Sequence, residues 1–109
     1  MDELSTISGS IAGKILSIPF STRIYHEAAN ITNVDFEDVA NSVEAKQKGS
    51  SILVRFKIGR DWITLHYRKG RVMLDTEVWD IHKMEDIIKM IIFVKNKVDH
   101  KFTLIASNV

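Results

Sequence analysis

The chain contains no cysteine. That absence excludes disulfide scaffolds, thiol nucleophiles and thiolate metal sites, and it suits a reducing compartment, so a cytoplasmic location is expected. Long apolar runs are equally scarce. The longest, Met90 to Val94, falls far short of the roughly 20 residues that a membrane-spanning helix needs. The opening MDELSTIS carries acids where a secretory leader carries a basic segment, and no membrane partner is expected. Proline occurs once and glycine five times in 109 residues, too sparsely for a flexible linker, and no repeat or low-complexity tract interrupts the chain. One domain spanning residues 1–109 follows. A large charge excess is missing too: 15 basic and 14 acidic side chains give a formal net charge of +1, unlike a dedicated polyanion binder.

Catalytic constellations are also lacking. No nucleophile is spaced with a base, and His26, His66, His82 and His100 fall on separate elements without the paired spacing of a zinc site. Gly9-Ser10-Ile11-Ala12-Gly13-Lys14 is one residue short of a phosphate loop, and Ile15 stands in place of the Mg²⁺-binding hydroxyl. The expectation is a protein that is not an enzyme, with no catalytic residue, metal, cofactor or small-molecule substrate.

What is present is a run of alternating residues from Ser51 to Trp79. Two-residue turns at Gly59-Arg60 and Lys69-Gly70 close it into a three-stranded antiparallel meander, pairing Phe56 with Ile63, Val54 with Leu65, Tyr67 with Val72 and Leu65 with Leu74. One face is core. The other collects Leu53, Arg55, Lys57, Trp62, Thr64, His66, Arg68, Arg71, Met73, Asp75 and Glu77.

Around the meander, Leu4, Ile7, Ile11 and Ile15 predict a short or frayed N-terminal helix weakened by Gly9 and Gly13. Lys14–Phe20 and Thr22–Glu27 read as strands separated by Pro19 and Ser21. Asn33 or Asp35 caps a second helix through Phe36, Val39, Ala40 and Val43, ending at Lys46-Gln47-Lys48-Gly49. Asp80 caps a third, whose apolar face is Ile81, Met84, Ile87, Ile88, Ile91, Val94 and Val98. Phe93 falls outside that face, so it is expected to meet something other than the sheet: the segment Phe102–Ile105 or a binding partner. The fold class is α+β, an antiparallel sheet with helices on one face and a core of Ile52, Val54, Phe56, Ile63, Leu65, Tyr67, Val72, Leu74, Met84, Ile88 and Ile91.

Charge is unevenly spread. Residues 55–71 hold Arg55, Lys57, Arg60, Arg68, Lys69 and Arg71 against Asp61 alone. Arg and Lys neutralise phosphates and an exposed Trp can stack a base, so Arg55, Lys57, Trp62, His66, Arg68 and Arg71 are the candidate nucleic-acid-binding residues.

From Val34 onward, Asp35-Phe36-Glu37-Asp38-Val39-Ala40, Ile52-Leu53-Val54-Arg55-Phe56 and Thr64-Leu65-His66-Tyr67-Arg68-Lys69-Gly70-Arg71-Val72-Met73, followed by a helix rich in acids and lysines, resemble one repeat of the TATA-box-binding protein family. The resemblance covers about two-thirds of the chain. In that family two repeats form a saddle that bends DNA through the minor groove. It implies a transcription-linked, DNA-binding role, and a homodimer wherever a full saddle is to form. The element order α-β-β-α-β-β-β-α is also similar to the roadblock family of dimerising scaffolds, which implies a protein-protein interaction module. The frequent Ile and Lys without Cys look like the composition of a heat-loving archaeal protein.

Overall fold

The computed structural model describes residues 2–21 and 33–107, with side chains as far as residue 100. The first helix, α1 (Glu3–Ser21), is long. Asp2 starts it by accepting the Ser5 N–H at 2.7 Å, and that hydrogen bond holds the Asp2 carboxyl below its ordinary pKa. Ile7, Ile11, Ile15 and Ile18 recur at helical spacing and all four are buried. This stripe overturns the expected strand at Lys14–Phe20, because Ile15 and Ile18 continue the helical period established by Ile7 and Ile11. Gly9 and Gly13 face open space and leave the buried side intact. Pro19 lies in the last turn; it has no N–H to offer the Ile15 carbonyl, and the helix ends two residues later. The strand expected at Thr22–Glu27 lies outside the described residues.

The second helix, α2 (Phe36–Ser42), begins where expected, with the Asp35 carboxylate accepting the Asp38 N–H at 3.1 Å. It ends earlier than the sequence suggested. Val43 turns extended (φ −63°, ψ 126°), and Glu44–Lys48 forms strand β1 instead of a helical last turn. The physical reason is pairing: Ala45 packs on the core opposite Val54, and Gly49 at φ +62° reverses the chain into the next strand.

Four more strands follow as β2 (Ser51–Ile58), β3 (Asp61–Arg68), β4 (Arg71–Leu74) and β5 (Glu77–Asp80). All neighbours pair antiparallel in the order β1-β2-β3-β4-β5. Three of the four expected pairs form, Val54 opposite Leu65, Phe56 opposite Ile63 and Tyr67 opposite Val72; the fourth, Leu65 with Leu74, lies one position past His66–Met73, where β3–β4 pairing ends. At Lys69-Gly70 both turn residues have positive φ, 50° and 81°, the backbone that matches the twist of a two-residue hairpin. The meander has two strands more than expected. Its fourth turn falls at Asp75-Thr76, where Asp75 tolerates a φ of 56°, so Asp75 and Glu77 do not share a strand face. Asp75 instead reaches the Lys97 ammonium on the final helix.

That helix, α3 (Met84–Ser107), starts four residues after Asp80. The expected cap at Asp80 is replaced because the chain stays extended until Trp79 is buried opposite Val72. Asp80 closes the connection, accepting the His82 N–H through Oδ1 at 2.8 Å and donating its own N–H to Asp86 Oδ2 at 2.8 Å.

The inward sheet face packs with Ile87, Ile88, Met90, Ile91 and Val94 of α3 and the α1 isoleucines in one core. All the sequence-derived core residues lie in it or against it. Ser42 ties α2 to the sheet: its hydroxyl donates to the Val39 carbonyl and accepts the Lys57 N–H at 2.8 Å, beyond the point where β1 stops pairing with β2. Among the described residues, no helix is long and apolar enough to cross a membrane.

Candidate functional site

With the helices on one side, strand alternation sends every second side chain to the other. The register therefore composes an outward face row by row. Lys46, Leu53, His66, Met73 and Val78 form one row that crosses all five strands. Beside it on one flank Arg68 stands opposite Arg71 and Arg71 opposite Asp80, with Lys48 opposite Ser51 at the far edge. On the other flank lie Glu44, Arg55 and Thr64, then Lys57 opposite Trp62. The face thus holds six cationic side chains against two carboxylates, an excess that the whole chain, at +1, does not show.

All six residues singled out for nucleic-acid contact lie on this face, but they divide into two groups. Arg55, Lys57 and Trp62 form one. The Arg55 guanidinium lies 4.3 Å from the Trp62 ring centroid and bonds Glu44 Oε1 at 2.6 Å, while Lys57 Nζ is 5.6 Å from the same ring. Trp62 remains 45% exposed. An exposed indole with a cation stacked on it has its orientation held and its remaining ring surface available.

Arg68 and Arg71 form the second group. Both are exposed, and among the described residues neither has a carboxylate within ion-pair distance. With Lys69, Met73 and Val78 they line an open depression of about 360 Å³. A neighbouring one of about 380 Å³, walled by Ser50, Ser51, Ile52, His66, Tyr67, Arg68 and Met73, adjoins it. His66 stands between the two groups, opposite Met73. Two like charges facing each other across a strand pair are unfavourable unless an anion sits between them. The arrangement can bind anions and stack planar groups. Among the described residues no cluster of His, Asp or Glu converges as a metal site would.

Phe93 is placed differently from expectation. It meets the sheet after all, packing half-buried on Trp79 of β5 with ring centroids 5.3 Å apart and tilted by 55°. Trp79 belongs to β5, the edge strand of the sheet, and α3 packs against that strand. Sequence reasoning missed Lys46, Lys48 and Val78 on the outward face. The signal was there in β1: Lys46 and Lys48 alternate with Ala45 directly before a Gly49-Ser50 turn.

No family model, no curated protein and no solved structure matches this chain. The functional reading therefore rests on the face itself.

Proposed function

We propose that the chain is a small, non-catalytic nucleic-acid-binding module that contacts its ligand through the outward face of the sheet. One observation carries this reading: six cations gathered on a sheet face that no helix covers among the described residues, beside an exposed, cation-stacked tryptophan, in a chain with almost no net charge. Cationic side chains on such a face neutralise phosphates, and the energetic source is the release of condensed counterions. A transcription-linked role is the part of the proposal supported by resemblance to a TATA-box-binding-protein repeat alone.

The test is a titration of labelled oligonucleotides, single- and double-stranded, across a range of salt. Affinity should fall linearly in log–log form, with a slope near −0.7 per phosphate contact for a single strand and −0.9 for a duplex. Arg68→Ala with Arg71→Ala should flatten that slope by about one to two units. Absent or salt-insensitive binding at low ionic strength removes the proposal.

A competing reading, a protein partner or a second copy on the same face, draws on Val78, which is 51% exposed beside Met73. Sedimentation separates the two. A tight homodimer whose formation protects Trp62 and Val78 would close this face to nucleic acid.

A further inference from the structure

We infer that the ligand of this face is single-stranded, lying along β3 with one base stacked on Trp62 and its phosphates carried toward Arg68 and Arg71. This inference rests on the nucleic-acid reading above and narrows it to one class of ligand.

A duplex offers such a face little beyond its phosphates. Its bases are stacked on each other, so a protein face meets phosphates and groove edges and has no base plane to receive. A duplex on this face would contact the cations but leave Trp62, 45% exposed, and Val78, 51% exposed, with no flat apolar group to cover them. A single strand supplies such groups, because its bases are unstacked and each has a π-face.

Geometry assigns the direction. Trp62, Thr64, His66 and Arg68 point outward from one strand, so they recur at about 7 Å and span about 20 Å from end to end. That length suits a segment of about four nucleotides, the low end of the site sizes of single-strand-binding barrels. The row Lys46, Leu53, His66, Met73 and Val78 lies between the Arg55 group and the Arg68–Arg71 pair. A ligand running along β3 therefore meets cations at each end of its path, with His66 and the apolar side chains of Leu53, Met73 and Val78 in between to face its bases. Trp62 is prepared for stacking because Arg55 already occupies ring surface and is itself held by Glu44. A base then completes a guanidinium–indole–base stack without first ordering the indole.

The test compares three ligands at one ionic strength: a labelled oligothymidine of about eight nucleotides, an abasic deoxyribose-phosphate chain of the same length, and a duplex of about eight base pairs. The oligothymidine should bind about 10-fold more tightly than the abasic chain. Trp62→Leu should abolish that difference without weakening the abasic chain, and Trp62→Phe should restore part of it. Because Trp62 is exposed, neither variant threatens the core, and circular dichroism checks that both fold. The inference falls if Trp62→Leu leaves oligothymidine affinity unchanged, or if the duplex binds as tightly as the single strand. Equal, salt-dependent binding of oligothymidine and abasic chain overturns it while leaving the broader reading intact. Failure of every ligand to bind at low salt overturns both.

Discussion

The Arg55 guanidinium lies 4.3 Å from the centroid of the Trp62 ring while bonding Glu44 at 2.6 Å, so one cation links β1, β2 and β3 across the outward face. Arg55 pairs directly with Thr64, and Trp62 is its diagonal neighbour, which is the distance at which a long side chain reaches an aromatic one. Arg55→Ala should therefore expose more of the indole. The expected result is a red-shifted Trp62 emission and faster acrylamide quenching, over a constant background from Trp79, which is 4% exposed. Stability should fall by about 0.5–1 kcal/mol, the range for an exposed cation–π contact and a partly exposed ion pair. An unchanged quenching constant would show that the guanidinium does not cover the ring in solution.

Phe93 supplies a second prediction, because its packing on Trp79 makes it part of the core's margin. Phe93→Ala should cost about 2–3 kcal/mol, less than a fully buried phenylalanine because the ring is only half-covered. A double-mutant cycle with Trp79→Leu should show a coupling of about 0.5–1.5 kcal/mol between the rings. Urea denaturation measures both. If Phe93→Ala unfolds at the same midpoint as the parent chain, Phe93 is a surface residue reserved for a partner and the Trp79 contact contributes nothing.

The features that were legible in the sequence share a cause, and so do those that were not. The β2–β3–β4 register could be read because each strand has one buried and one solvated face, and a slip by one residue would have turned Phe56 and Leu65 outward. β1 was obscured because Lys46, Gln47, Lys48 and Gly49 also form a good helix ending, and only its cross-strand partners Leu53, Ile52 and Ser51 settle the matter. The same ambiguity ran the other way in α1, where Leu16, Ile18 and Phe20 alternate as in a strand, and the helical stripe of Ile15 and Ile18 shows only when they are read together with Ile7 and Ile11. The candidate face inherited this limit. Its central cations were found from alternation, whereas Lys46, Lys48 and Val78 belong to edge strands that pairing alone defines.

Gly70 tests the hairpin geometry that places Arg68 and Arg71 side by side. Its φ is +81°, its carbonyl accepts the Ile81 N–H at 2.9 Å, and a Cβ there would stand 3.1 Å from His82 Nε2. Gly70→Ala should cost about 1–3 kcal/mol, combining a left-handed backbone with crowding against the imidazole. Only the second part is removable. In a His82→Ala background the same substitution should cost about 1 kcal/mol less, as read by thermal melts of the four proteins in the cycle. Equal costs in the two backgrounds would show that the ring moves aside freely.

Arg68 and Arg71 should show stability and binding changing in opposite directions. They face each other directly across β3 and β4, and although Arg71 also stands opposite Asp80 on β5, among the described residues neither arginine has a carboxylate within ion-pair distance. Like charges in that position destabilise a strand pair, so Arg71→Thr should raise stability by about 0.2–1 kcal/mol, with a β-branched residue that also suits the strand. The same change should weaken oligonucleotide binding and flatten its log–log salt dependence by about 0.7 per lost phosphate contact. High salt supplies an internal control: screening the repulsion should shrink the stability gain of Arg71→Thr, while a gain due to strand propensity alone would persist. A variant that is both less stable and equally tight in binding would mean that Arg71 serves the fold and not a ligand.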